Sequence, residues 1–135
     1  MRILVTGGAG FIGSHIVDAL IREGHRVVII DNLSSGSEKN VNPKAKLYPF
    51  DIRSHGVKKV FESDRPEAVI HHAAQINIRA SLENPAEDAD INILGTIHLL
   101  EHATKQGVKK FIFSSSGGAI YGDTAALPTP ESTPL

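Results

Sequence analysis

Apolar and polar positions along the chain change period several times, and the changes mark out the elements. Residues 2–6 (RILVT) are a short β-branched run that ends in glycines, the signature of a buried strand. Ile12, Ile16, Ala19, Leu20 and Glu23 then follow helical spacing, and Gly24 is placed to end that helix. Residues 25–31 (HRVVIID) read as a second strand and 32–40 as a polar loop. Residues 46–51 (KLYPFD) read as a third, weaker strand, placed at a sheet edge because Pro49 removes a backbone donor. Ser54 is placed to cap a short helix through Val57, Val60 and Phe61 that Pro66 stops. Residues 67–74 (EAVIHHAA) read as a fourth strand.

The strongest helical signal follows. Asn84, Pro85 and Glu87 supply an N-cap, a proline at the first helical position and a carboxylate three on from the cap. Ala86, Ala89, Ile93, Ile97, Leu100 and Thr104 are expected to form its apolar face. Gly107 ends it, with Lys105 near the negative end of the helix dipole. Residues 109–114 (KKFIFS) predict a fifth strand. Pro128, Pro130 and Pro134 make the last stretch an extended loop. Strands alternating with helices imply right-handed crossovers and a parallel sheet. The expected fold is a three-layer, doubly wound α/β domain spanning 1–135, with about five strands in the order 3-2-1-4-5 and helices on both faces.

Composition narrows the functional classes. The 135 residues are 41% hydrophobic and 21% charged, enough for one domain with a core of its own. A net charge of -1 and the lack of any basic cluster argue against nucleic acid or an acidic membrane as partner. Cysteine is absent, which removes disulfides and thiolate chemistry. No apolar run reaches the roughly 18 residues of a membrane span, and the N-terminal run is too short for a signal peptide. A cytoplasmic location is the expectation.

Candidate chemistry gathers after the first strand. In VTGGAGFIGSH (5–15), Gly8, Gly10 and Gly13 fit G-x-G-x-x-G, and Gly7, Gly10 and Gly13 fit the looser G-x-x-G-x-x-G. The first glycine permits a tight turn, Gly10 lets a pyrophosphate approach the backbone, and Gly13 permits close helix–strand packing. The helix N-terminus then offers N–H groups and partial positive charge to phosphates. Asp31 ends the second strand, 18 residues after Gly13, near the ~20-residue offset of an acid that binds an adenosine ribose. A carboxylate there favours NAD over the 2′-phosphate of NADP. Asp51 sits at the same strand edge and reads either as a contact to the adenine amino group or as a turn cap near Ser54. Ala73 and Ala74 either let a cofactor lie against backbone or simply pack closely. His98 and His102 have a zinc-like i, i+4 spacing but no third ligand, and read as surface histidines; no metal is expected. Ser114, Ser115 and Ser116 follow the fifth strand and read as a turn or as a hydroxyl for a reacting oxygen.

Four stretches, 3–36, 69–75, 92–103 and 111–123, together resemble the opening of an extended short-chain dehydrogenase/reductase, and within that superfamily the UDP-glucose 4-epimerases. The resemblance runs in register along essentially the whole chain. It implies a Rossmann-like fold. It also implies that Phe11 and Ile12 back the pyrophosphate turn and that Asp31, Asn32, Leu33, Ser34, Ser35 and Gly36 line the adenosine ribose. Asp51 and Ile52 would hold adenine, His72, Ala73, Ala74 and Gln75 would line the middle of the groove, and Ile91 or Asn92 would support it. Ser116 corresponds to the catalytic hydroxyl, with Ser115 as the alternative because of the extra glycine in Gly117-Gly118. Related dehydratases and decarboxylases carry an acidic residue before the Tyr-Gly that follows the serines. GGAIYG (117–122) has none, which favours an epimerase over a dehydratase or decarboxylase.

The family base is the tyrosine of Tyr-x-x-x-Lys. Tyr48 is followed four residues on by Ile52, and Tyr121 by Ala125, so neither fits. The resemblance therefore implies that 1–135 are the N-terminal, NAD-binding part of a longer UDP-hexose epimerase, lacking the base and the substrate domain. This part alone is expected to be inactive. The alternative is a non-catalytic NAD-binding module. An unpaired edge after the fifth strand leads to an expectation of dimerisation or other self-association.

Overall fold

The computed structural model describes residues 1–123 and 127–134. Five parallel strands, β1 (Arg2–Thr6), β2 (Arg26–Ile30), β3 (Lys46–Tyr48), β4 (Ala68–His71) and β5 (Lys110–Phe113), form one sheet in the order β3-β2-β1-β4-β5. The order is the expected one, with β3 at an edge. β3 and β4 are shorter than the apolar runs that predict them, since pairing stops at Tyr48 and His71.

Side chains alternate across the sheet, so each β-branched run feeds two cores. Leu4, Val28, Ile30 and Val69 pack with Val57, Val60 and Phe61 of α2 (Gly56–Asp64). Leu99 and Ala103 complete that layer. Ile3, Val5, Val27, Ile29 and Ala68 pack on the other face with Val17 of α1 (Phe11–Arg22). α2 begins one residue after His55, and the Ser54 hydroxyl accepts the Gly56 N–H at 3.1 Å. It ends at Arg65, whose φ of 43° takes the chain out of the helix just before Pro66.

After the short helix α3 (Ile78–Glu83) comes the long helix, which is α-helical over Pro85–Ala89, opens into a π turn over Asp90–Leu94, and is α-helical again over Gly95–Lys105. Asn84 caps it by accepting the Glu87 N–H at 3.2 Å. The expected apolar face is corrected by the structure. Ile93, Ile97 and Leu100 are exposed, whereas Gly95, Leu99 and Ala103 are buried against the sheet and α2. A short helix, Gly117–Tyr121, follows β5, and residues 127–134 contain neither helix nor strand, as the prolines require. No helix among the described residues is long and apolar enough to cross a membrane.

Candidate functional site

A parallel sheet delivers every strand's carboxyl end to one edge, so the loops that follow β1 to β5 share one rim. The glycine turn, the 31–36 loop, Asp51, residues 72–75 and the serines are all brought there.

The turn after β1 is built by backbone. Gly7 has φ +70° and donates its N–H to Ile30 at 2.9 Å, and its carbonyl accepts the Gly10 N–H at 3.1 Å. A Cβ on Gly13 would lie 2.1 Å from the Gly7 oxygen, so the fold itself excludes one. Gly10 differs: its Cβ would meet only that same oxygen, at 3.3 Å. Gly10 is also the N-cap of α1 and provides no side-chain acceptor for the N–H groups of the first turn. Phe11 and Ile12 follow it with 80% and 62% of their surface exposed.

Asp31 is buried and ties the neighbouring loops together. One carboxylate oxygen accepts the Ala9 N–H at 2.9 Å and the other the Leu33 N–H at 2.8 Å. Leu33 is held at φ 59°, a left-handed conformation uncommon for a side chain of its size. Each oxygen of Asp31 retains a second lone pair. Ser34 donates its N–H to Asn32, Ser35 is exposed, and Gly36 lies flush against the Ala9 backbone.

Asp51 is occupied by protein. Its Oδ1 accepts Arg53 N–H and Nε at 2.9 Å each, and its Oδ2 accepts Arg53 Nη2 at 2.8 Å and Asn32 Nδ2 at 3.3 Å. The Arg53 hydrogen bonds pull the Asp51 carboxyl down to about 2, against the opposing effect of burial. Ile52 is buried, and its N–H finds no acceptor among the described residues.

The middle of the rim rests on a directed chain of hydrogen bonds. The Thr96 hydroxyl donates to the Asn92 carbonyl at 2.7 Å, so its oxygen receives the Nε2–H of His71 at 2.9 Å. His71 is thereby the Nε2–H tautomer, and its Nδ1 accepts the Thr6 hydroxyl at 2.6 Å. Thr6 in turn accepts the Ala73 N–H at 3.2 Å. Burial and the neighbouring His72 push the His71 pKa down to about 4, so this chain holds with a neutral ring. Of Ile91 and Asn92, it is Asn92 that reaches the rim. Its side chain accepts the Gln75 N–H and donates to the Gln75 carbonyl, both at 2.9 Å. Gln75 Nε2 then donates to Ser81 at 2.8 Å. Ala74 lies within this held segment.

At the far end, Ser114 donates its N–H to His71, and its hydroxyl lies 3.2 Å from Nε2 of His72. Ser115 and Ser116 are exposed; Ser116 is the N-cap residue of Gly117–Tyr121 but makes no side-chain cap bond. The sequence reading of His98 and His102 is corrected. Both are half-buried, with His98 Nδ1 2.7 Å from the Ile52 carbonyl and the two Nε2 atoms 3.0 Å apart. Among the described residues no group of three metal-ligating side chains occurs. Thr6, Arg53, His71 and Thr96 were not singled out by sequence. Only the β4 HHAA run hinted at any of them, because a polar residue in a buried strand demands a partner.

A family model described as the NAD dependent epimerase/dehydratase family matches residues 3–135. The UDP-glucose 4-epimerase of Mycolicibacterium smegmatis is 42% identical over 140 residues, which cover 100% of this chain and 45% of that protein. The structure of UDP-glucose 4-epimerase with UDP-glucose from Thermotoga maritima superposes with a TM-score of 0.89 at 52% identity, covering 99% of this chain and 44% of that one. That of the Thermus thermophilus UDP-glucose 4-epimerase complex with NAD also gives 0.89, at 44% identity, with the same coverage. The chain thus spans less than half the length of the relatives it matches.

Proposed function

The chain belongs to the NAD dependent epimerase/dehydratase family, and from that premise we propose that residues 1–135 are the NAD-binding part of a UDP-hexose 4-epimerase. The observation that carries the proposal is Gly10: a Cβ there would press only on the Gly7 oxygen, at 3.3 Å, a contact that a small shift relieves, yet the residue is glycine at the mouth of a helix with an uncapped first turn. A pyrophosphate in contact with that backbone accounts for both facts. Gly7 and Gly13 shape the turn, and Phe11 and Ile12 flank it. Asp31 receives the adenosine ribose hydroxyls on its two remaining lone pairs, with Asn32 to Gly36 closing the loop around that sugar. Asp51 and the Ile52 N–H face adenine; Asn32 holds its longest bond to Asp51, 3.3 Å, and is the contact that yields. His72, Ala73, Ala74 and Gln75 line the middle of the groove, and Asn92 fixes Gln75.

NAD held by these residues would supply the hydride acceptor, and then the hydride donor, for C4 of the sugar. Ser116, or Ser115, hydrogen-bonds the 4-oxygen. The 135 residues contain no Tyr-x-x-x-Lys, so no side chain here takes the 4-hydroxyl proton. General acid–base catalysis is worth ~10²–10⁴-fold, and the chain alone therefore acts as an NAD-binding module without turnover. A cytoplasmic place of action and self-association belong to the same proposal. The second is supported by the exposed Ile93, Ile97 and Leu100 and by the β5 edge, where Phe113 is 58% exposed.

Calorimetric titration with NAD and NADP tests this reading. NAD is expected to bind, with NADP weaker by roughly 10-fold or more because of charge repulsion at Asp31. Equal binding of both, or of neither, refutes it, and epimerisation of UDP-glucose by the purified chain refutes the division of labour.

A further inference from the structure

The loop facing the proposed adenine site has little support from its own strand. β3 has three residues, lies at the sheet edge and stops pairing at Tyr48. Residues 51–53 are held instead by the long helix, which follows only after α2, β4 and α3. Each of the three is held in a different way.

Arg53 spends all three of its guanidinium nitrogens. Nε and Nη2 close a two-pronged pair on Asp51, and Nη1 donates to Glu87 at 3.0 Å and Asp90 at 2.6 Å. Glu87 and Asp90 lie in the first turns of the long helix, so Asp51 is joined to that helix through one planar cation. Ile52 packs against Gly95, where a Cβ would lie 2.6 Å from the Ile52 Cδ1. The Ile52 carbonyl lies 2.7 Å from His98 Nδ1. Since a carbonyl only accepts, His98 carries a proton on Nδ1. Its Nε2 lies 3.0 Å from Nε2 of His102, whose ring stacks on Phe61 in the core, with ring centres 5.8 Å apart. The donor on His98 is thus fixed in place by a second ring.

We propose that Arg53 and His98 are positioning residues that set the adenine-facing loop 51–53 against the long helix. The same helix holds Gln75 through Asn92, so one rigid rod sets the separation between the adenine end and the middle of the groove. This rests on the proposed function for its consequence, cofactor affinity, but not for the clamp itself.

The test has two readouts on the same proteins, His98→Leu, His98→Asn, Arg53→Met and Arg53→Lys. The first is amide hydrogen exchange without ligand. His98→Leu and Arg53→Met should speed exchange across 51–54 by roughly 10-fold or more, the scale of losing a hydrogen bond to a charged or buried partner, with β1 unchanged. His98→Asn keeps a donor at the position of Nδ1 and should restore near-parental exchange. Arg53→Lys, which cannot bridge Asp51 and the helix at once, should not. The second readout is NAD titration, where the dissociation constant should rise ~10-fold in the Leu and Met variants and recover in the Asn variant. Unchanged exchange at 51–54 in both variants overturns the proposal, as does an increase shared equally by β1 and β4. Failure of the unsubstituted chain to bind NAD refutes the proposed function, while the exchange measurement still decides the clamp.

Discussion

Gly10→Ala and Gly13→Ala should separate binding from folding. At Gly13 the added carbon would sit 2.1 Å from the Gly7 oxygen and 2.8 Å from its carbonyl carbon, both backbone atoms of a turn pinned to β2. Relief requires α1 to lift from β1, and overpacking of this kind typically costs about 1–3 kcal/mol or more. At Gly10 the contact is 3.3 Å, relieved by a shift of a few tenths of an ångström, and the backbone (φ -77°, ψ 174°) suits any residue. Alanine there reduces unfolded-chain freedom, worth ~0.4–1 kcal/mol, and is a poorer N-cap than glycine by a similar amount, so the net change should lie within about 1 kcal/mol of zero. On the proposed function, the methyl group would nevertheless intrude on the backbone surface that takes the pyrophosphate. Urea unfolding with calorimetric NAD titration of both variants reads the two effects. Gly10→Ala should keep its midpoint and lose NAD affinity by ~10-fold or more; Gly13→Ala should lose stability first. Parental NAD affinity in a folded Gly10→Ala protein would refute the placement of the phosphates.

Three further outcomes follow from the same geometry. The folded pKa of His71, about 4, lies below the ordinary 6.5, so the unfolded chain binds the extra proton between them. Its contribution is complete above 6.5 and is lost as pH falls toward 4, about 3 kcal/mol in all; urea midpoints between pH 7.5 and 4.5 should track this, and a His71→Gln variant with the same slope would contradict it. Asp31→Ala leaves the Ala9 and Leu33 N–H groups without acceptors, and should cost about 1–3 kcal/mol in thermal unfolding together with most NAD affinity. Ile97→Glu with Leu100→Glu alters only exposed positions, so sedimentation should show less association than the parent with unchanged circular dichroism, and equal association would place the contact elsewhere.

The strands were legible because burial on both faces leaves near-continuous β-branched runs, and RILVT and RVVII need no partner to be read. The glycine turn and Asp31 were legible because backbone geometry and a fixed offset constrain residue type. The long helix was misread for a physical reason. It carries two apolar stripes, and the one containing Ile93, Ile97 and Leu100 is the more hydrophobic but faces out. The inward side includes Asn92, Thr96 and His98, whose polarity is satisfied by Gln75, His71 and Ile52, contacts far away in sequence. Arg53 escaped notice likewise, because its carboxylate partners at 87 and 90 are separated from it by α2, β4 and α3.

The π turn at Asp90–Leu94 holds an extra residue between two parts of the helix that have separate anchors. Asn92 grips Gln75 near its start, and Leu99 sits in the core beyond it. Deleting a single residue there would let the turn close to the ordinary α-helical spacing with both anchors kept, whereas the same deletion in an α-helical part of the rod would rotate everything downstream by about 100°. A one-codon deletion that removes the exposed Ile93 should therefore damage the protein less than one taken from Gly95–Lys105.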